Sequence, residues 1–333
     1  MRMRTRFTTG SALSALAVLL LHGCADDGRT PLTVRTSLPD ALIEQVERSF
    51  EAQHPDVDLR VSHGDDAEAS AALASAGEDV PFDVWWGASG VLLERASSEG
   101  LLRAATTSGV WRPLLVTPFV IAFNREAVTL ARAPSDWIDI FHFQWRNEVV
   151  AVDPSRLGVG AWFVGAVVAR AVRAEGDESI GMDWLRRFDE QVVRYVPGEA
   201  EALRELRLGN GSLAVVSGAA AAAEIAAGSD WLHYRIPESG TPLLVRGIGV
   251  AARTGEAHAA ALFVDWVSSP EQVTAAAIAT GWEAADNLRV AEDASALIGS
   301  TGWRGWPLDL GVVVQGLSGW LDQWTAEIRM SGP

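Results

Sequence analysis

Few side chains in this sequence have the types and spacing that catalysis requires. The histidines are scattered, and no two stand four residues apart, the spacing at which one helix face presents a pair of zinc ligands. The segment Gly87-Ala88-Ser89-Gly90 does not complete the Gly-x-Ser-x-Gly turn of a serine nucleophile. Cys24 is the only cysteine, so the chain can form no internal disulfide. We therefore predict no catalytic residue, no metal site and no cofactor.

Other positions have the chemistry of small-molecule recognition. Arg156 stands in a glycine-containing loop before a predicted helix, where its guanidinium could hold a carboxylate or phosphate; the alternative is a surface salt bridge. Trp85 and Trp86 alternate across a predicted strand, so Trp86 either packs in the core or stacks on a sugar or an organic cation. Ser37, three residues before Asp40, fits a helix-capping pattern, which is compatible with ligand contact.

The first 24 residues resemble an export signal. Arg2, Arg4 and Arg6 precede an apolar run at residues 11–21, which has the length of a signal peptide and is too short to span a bilayer. Cys24 follows this run and Gly23, as in a bacterial lipobox, although His22 is not the small residue usual there. We predict a signal peptide at residues 1–23, lipidation of Cys24 and a linker at residues 24–31. The alternative is ordinary cleavage, which leaves a soluble secreted protein.

The charge balance narrows the choice of partners. The formal net charge is −16, and every basic residue among the 27 is an arginine. Such an acidic chain is a poor match for nucleic acid or for anionic lipid. We therefore expect no nucleic-acid partner, and membrane contact through the lipid anchor alone.

Strands and helices alternate along the whole chain. A strand near residues 32–34, a helix over 41–53 and a strand over 57–61 form a unit whose crossover is long enough for a parallel pair. The continued alternation predicts the α/β class. Two long apolar strands, at residues 113–124 and 242–252, bracket the middle of the chain. They indicate that one lobe is inserted into another, with residues 32–116 and 240–333 forming lobe one and residues 117–239 forming lobe two.

A series of segments, in this order, carries a resemblance to a known family. They are residues 32–39 (LTVRTSLP), 82–89 (FDVWWGAS), 119–124 (FVIAFN), 136–145 (DWIDIFHFQW), 152–154 (VDP), 208–217 (LGNGSLAVVS), 237–245 (PESGTPLLV), 263–272 (FVDWVSSPEQ) and 320–324 (WLDQW). The chain resembles the bacterial extracellular solute-binding proteins of the type II periplasmic-binding fold, in the branch with the ferric-iron and related polar-solute receptors. This resemblance implies two lobes, each a mixed sheet flanked by helices, joined by two crossover strands around a ligand cleft.

The resemblance also implies a function. Members capture a solute and deliver it to the permease of an ABC importer, so we expect a monomeric, lipid-anchored receptor in the periplasm or on the cell surface. In the family, ligand contacts lie in the loops that come after strands. Together with the stacking interpretation of Trp86 given above, the resemblance implies a binding set made of Ser37, Trp86, Gly87, Ser89, Arg156, Gly158 and Ser217.

Two departures leave the solute open. Iron-binding members use adjacent tyrosines after the strand that matches residues 212–216, whereas this chain continues with Ser217-Gly218 and has only Tyr195 and Tyr234. The loop at residues 154–160 also supplies few donors. A sugar, an organic anion and a phosphorylated compound all remain candidates. The alternative function is a sensor or interaction module without transport, whose pocket has degenerated.

Overall fold

The structure is a computed structural model, and it describes residues 28–77, 79–104, 109–155 and 157–329. The predicted signal peptide, Cys24 and Arg156 lie outside the described residues. Within the described part of the chain, no helix combines the length and the apolar character needed to cross a membrane.

Ten α-helices are found in the described ranges, and hydrophobic spacing explains their orientation. In the first helix, Leu42, Ile43, Val46 and Phe50 share one face and are buried, as the spacing predicts. The helices are α1 Asp40–Gln53, α2 Asp66–Ser75, α3 Gly90–Ser98, α4 Val159–Glu175, α5 Glu178–Asp189, α6 Glu199–Arg207, α7 Gly218–Ala226, α8 Ala257–Val267, α9 Pro270–Thr280 and α10 Leu310–Trp324.

Fourteen strands accompany these helices in the part that the structure describes. They are β1 Thr30–Thr36, β2 Val57–His63, β3 Val84–Ser89, β4 Leu102–Arg103, β5 Trp111–Asn124, β6 Val149–Val152, β7 Val192–Val196, β8 Leu213–Ser217, β9 Leu232–Arg235, β10 Leu243–Ala251, β11 Glu283–Ala284, β12 Arg289–Val290, β13 Leu297–Ile298 and β14 Arg304–Gly305. The predicted α/β class is confirmed.

One long strand takes part in two mixed sheets. Residues 111–118 of β5 pair with β10, and residues 119–123 pair with β8. We call the strands β2, β1, β3 and β10 with residues 111–118 the first sheet. Residues 119–124 with β8, β6 and β7 form the second sheet. In each sheet three parallel strands meet one antiparallel strand, β10 in the first and β5 in the second.

The chain crosses between the sheets at two adjacent points that are tied together. The Phe119 amide donates to the Pro242 carbonyl at 3.0 Å, and the Thr241 hydroxyl donates to the Phe119 carbonyl at 2.8 Å. The Ala219 amide, at the start of α7, donates to the Thr117 hydroxyl at 2.9 Å. These contacts give the two crossover strands a hydrogen-bonded junction at residues 117–119 and 241–243.

Each sheet packs against its own helices, and one helix contacts helices of both sheets. The first sheet packs on α1, α8 and α9 through side chains such as Phe50 and Phe263. The second sheet packs on α4 and α5 around Phe163 and Phe188. The helix α10 packs closely on α4 and also contacts α3, which follows the first sheet's β3. The domain boundaries at residues 116 and 240 stay a prediction.

Candidate functional site

A cavity of about 240 Å³ lies between the two sheets, at the ends of their parallel strands. It receives residues from the starts of four helices and from one crossover strand. Its polar and aromatic lining consists of Ser37, Asp65, Asp66, Ser89, Gly158, Trp162, Glu199, Arg246 and Trp282. Surface depressions of about 380, 520 and 620 Å³ also occur. Among these described cavities, the one between the sheets takes charged side chains from both.

Arg246 is a charged residue in the otherwise apolar strand β10, and it lines this cavity. Its Nη1 atom donates to the Ser37 hydroxyl at 2.6 Å and to the Gly87 carbonyl at 2.7 Å, and lies 3.8 Å from Asp66 Oδ2. Its guanidinium carbon lies 5.1 Å from the ring centre of Trp282. Only about a quarter of the side chain is exposed, so these contacts fix its position.

Asp66 begins α2, and its carboxylate is held by groups of the first sheet. The Ser89 amide donates to Asp66 Oδ2 at 3.2 Å. Burial raises the pKa of Asp66 above its ordinary value, while the charge of Arg246 and the hydrogen bond from Ser37 oppose that rise. The neighbouring Asp65 caps α2 by accepting from the Ala67 and Glu68 amides.

Glu199 begins α6 on the opposite side of the cavity. It accepts a hydrogen bond from the amide of Ser217, the last residue of β8. Burial is the largest influence on its pKa and raises it above the ordinary glutamate value, against the opposing hydrogen bonds from Ser217 and the charge of Arg246. The cavity thus places two desolvated carboxyl groups, one from each sheet, around a single described arginine.

Four of the predicted binding residues lie at this cavity. Ser37, Ser89 and Gly158 line it, and the Gly87 carbonyl binds Arg246 directly. Gly87 has a φ of +67°, and a Cβ atom there would come within 2.5 Å of Leu38, so this irregular position of β3, where the pairing with β10 shifts register, requires glycine. The capping interpretation of Ser37 is wrong, because α1 begins after Pro39, which makes no side-chain cap.

The other predicted residues lie elsewhere. Trp86 is 1% exposed and packs edge-on against Phe263 in the core between the first sheet and its helices, so its ring does not line the cavity. Ser217 is buried behind Glu199, where its amide holds the carboxylate and its hydroxyl caps α7. Arg156 lies outside the described residues.

Sequence reasoning did not identify six of the polar and aromatic lining residues: Asp65, Asp66, Trp162, Glu199, Arg246 and Trp282. Two signals were available. Asp66 and Glu199 each begin a helix after a parallel strand, the position where the cleft was expected. Arg246 is a charge inside an apolar strand, which calls for a buried partner.

The described residues contain no cluster of three or more His, Cys, Asp or Glu side chains that could hold a metal ion. The two tyrosines are engaged elsewhere and do not line the cavity. The Tyr195 hydroxyl donates to Asp189 at 2.8 Å, and Tyr234 lies on β9, opposite Ala122 of β5.

Two mixed sheets joined by paired crossover strands, with a cavity between them, define a two-lobe binding protein. Residues 33–283 match the family described as bacterial extracellular solute-binding protein, so the chain belongs to that family. The expected family and the expected two-lobe fold are confirmed.

Individual relatives are distant. A probable ABC transporter periplasmic-binding protein, y4fP, of Sinorhizobium fredii (strain NBRC 101917 / NGR234) is 24% identical over 226 residues; the match covers 64% of this chain and 60% of the relative. The iron-bound structure of HitA from Pseudomonas aeruginosa has a TM-score of 0.73 at 17% identity, covering 88% of this chain and 99% of that one. AfuA from Actinobacillus pleuropneumoniae, with fructose-6-phosphate bound, has a TM-score of 0.72 at 17% identity, covering 92% and 100%.

Proposed function

We propose that this protein captures a small polar solute in the cavity between its two sheets and delivers it to the permease of an ABC importer, without catalysing a reaction. The observation that carries the proposal is the cavity itself, which takes Asp66 and Ser89 from one sheet and Gly158 and Glu199 from the other. A solute that touches both sides favours the closed form over the open one, and only such differential contact can drive closure.

The paired crossover strands support a closing motion. The junction near Thr117 and Thr241 is compact, and the chain passes between the sheets at these two adjacent points. Domain closure uses a few residues of this kind as its hinge. In this proposal residues 32–116 and 240–333 form one lobe and residues 117–239 the other.

The proposal places the protein outside the cytoplasm. Its support is the arginine-rich start, the apolar run at residues 11–21 and Cys24, together with membership in an extracellular family. Residues 1–23 would be removed, lipid on Cys24 would anchor the chain, and residues 24–31 would link the anchor to a monomeric receptor. The measurement is mass spectrometry of the membrane-bound protein, with Cys24→Ser as the unlipidated control.

Solute binding is tested by thermal unfolding of the purified protein with sugars, sugar phosphates, organic acids, phosphonates, polyamines and ferric citrate. A solute at a hundredfold excess over its dissociation constant stabilises the folded state by about 2.7 kcal/mol. We expect a saturable rise of the midpoint with one class. No shift with any class would contradict the proposed receptor function.

A further inference from the structure

The two sheets repeat one arrangement of a carboxylate and a serine. In the first, the amide of Ser89, the last residue of β3, donates to Asp66 at the start of α2. In the second, the amide of Ser217, the last residue of β8, donates to Glu199 at the start of α6. Each carboxylate therefore begins the helix that follows the parallel strand at the outer edge of its sheet, β2 or β7. Each serine is the last residue of the parallel strand nearest the crossover strands, β3 or β8.

Further contacts confirm that these positions correspond. Each serine is followed by a glycine that approaches the neighbouring antiparallel strand. A Cβ atom on Gly90 would lie 3.3 Å from the Val245 carbonyl oxygen, and one on Gly218 would lie 3.3 Å from the Pro118 carbonyl oxygen. The next residue of each antiparallel strand is paired with the serine: Arg246 with Ser89, and Phe119 with Ser217. Arg246 and Phe119 therefore occupy equivalent positions in the two sheets.

The repeat is broken at this pair. Arg246 places a cation beside Asp66, with Nη1 at 3.8 Å from Oδ2. Phe119, the equivalent residue of the second sheet, is 1% exposed and supplies no charge to Glu199. A carboxylate that leaves water without a cation pays a large desolvation cost or takes up a proton. Among the described lining residues, Arg246 is therefore the one cation whose charge acts on both Asp66 and Glu199.

We propose that the solute carries a protonated amine, and that this ammonium group binds Glu199 in the position that Arg246 takes beside Asp66 and that no described residue of the second sheet takes. The inference rests on the proposed receptor function and names its solute class. The rest of the cavity wall suits a short carbon chain, because Val91, Leu157, Leu244 and Leu317 and the ring of Trp282 contribute apolar surface.

The titratable groups give the site a characteristic pH response. Asp65 and Asp66 face the cavity from α2, Arg246 from β10 and Glu199 from α6, while the side chain of Arg156 is not described. An ammonium at Glu199 lowers the raised pKa of that carboxyl, so binding near that pKa releases a proton. The affinity of an amine should therefore increase as pH rises through the raised pKa of Glu199, and then level off.

The first experiment compares pairs of probes in which one member carries an ammonium group and the other does not. Calorimetry would measure binding of 1,4-diaminobutane against 1,4-butanediol, and of 4-aminobutanoate against butanoate, with succinate and glucose 6-phosphate as anions. We expect an amine to bind at least tenfold more tightly than its uncharged or deaminated partner, the ratio typical of a charge-assisted contact. Titration in two buffers of different ionisation enthalpy should reveal the released proton.

The second experiment uses Glu199→Gln, in which the amide oxygen can still accept from Ser217. The matched control is Glu201→Gln on the same helix, whose carboxylate pairs with Arg204 and does not line the cavity. Glu199→Gln should weaken amine binding about 10- to 100-fold and abolish proton release. Glu201→Gln should leave both unchanged.

The possible results separate the two proposals. Saturable binding of a sugar, an anion or a phosphorylated probe, with no amine bound, leaves the receptor function standing and overturns the amine inference. Amine binding that is equal in Glu199→Gln and the wild type also overturns it. If no probe of any class binds, the receptor function itself fails, and the inference fails with it.

Discussion

The carboxyl group of Glu199 affects the empty protein as well as its complex. Because burial raises its pKa in the folded state, the folded chain holds a proton more tightly than the unfolded chain. This contribution is complete below the unfolded value near 4.5 and is lost as pH rises through the folded pKa. The buried carboxyl group therefore makes the free energy of unfolding lower at neutral pH than near pH 4.

We predict that Glu199→Gln raises the thermal midpoint of the ligand-free protein at pH 7 to 8, and that the difference from wild type vanishes near pH 4. The amide cannot ionise, so the desolvation cost is removed. Scanning calorimetry across this pH range is the measurement, with Glu201→Gln as the accessible control. A wild type that is more stable than Glu199→Gln at neutral pH would contradict the assignment of a desolvated carboxylate.

Arg246 supports a different prediction, because three groups depend on it. Arg246→Met keeps an unbranched stem in place of the aliphatic part of arginine but leaves the Ser37 hydroxyl, the Gly87 carbonyl and Asp66 without their cation. We expect a loss of about 1–3 kcal/mol in the free energy of unfolding, measured with urea. Arg253→Met, which removes one exposed contact to Gly77, is the control and should change stability by less than about 0.5 kcal/mol.

Only part of this constellation could be predicted from the sequence. The rule that ligand contacts follow strands found Ser37 and Ser89, because that rule depends on local order. It could not identify Arg246, whose hydrogen bond to Ser37 joins residues 209 positions apart. Nor could the rule tell whether the Trp86 ring lies in the core or in the cleft, because its position depends on packing against Phe263, which is far along the chain.

At the scale of elements, the long regular segments were predictable and the short ones were not. The expected strands at 113–124 and 242–252 are found as Trp111–Asn124 and Leu243–Ala251, because continuous apolar runs leave few alternatives. The two-residue strands between Glu283 and Gly305 carry no such pattern. The aromatic segment after residue 136 forms two 3₁₀ helices, Trp137–Phe141 and Phe143–Trp145, which buried side chains hold in place.

The crossover junction supports a prediction at this scale. Thr117 is 2% exposed, and its hydroxyl oxygen accepts a hydrogen bond from the amide of Ala219, in the first turn of α7. Thr117→Val keeps the shape but leaves that amide buried without a partner, so we expect a loss of about 1–3 kcal/mol in urea unfolding. Thr274→Val, at an exposed position of α9, removes a hydroxyl that donates to the Pro270 carbonyl and should cost less than about 0.5 kcal/mol. Equal effects of the two substitutions would mean that the junction is not tightly held.

At the scale of the whole molecule, the net charge of the protein affects the rate at which a charged solute associates with it. A chain with a net charge of −16 attracts a cationic solute over a distance set by the Debye length, about 30 Å at 0.01 M salt and 10 Å at 0.1 M. We predict that the association rate of an amine falls severalfold as NaCl rises from about 0.01 to 0.5 M, measured by stopped-flow tryptophan fluorescence. An uncharged solute should show no such dependence, and a rate for the amine that ignores salt would contradict long-range attraction.

The C-terminal helix adds a consequence for the empty receptor. Leu317 and Val313 of α10 fit so closely over Gly165 of α4 that a Cβ atom there would lie 2.8 Å from Leu317, so α10 is expected to move with the second sheet and slide over α3. The separation of the two sheets in the unliganded protein is then set partly by the packing of α10. A substitution on the face of α10 that meets α3 would change the fraction of molecules ready to bind, and with it the apparent affinity, without touching the solute.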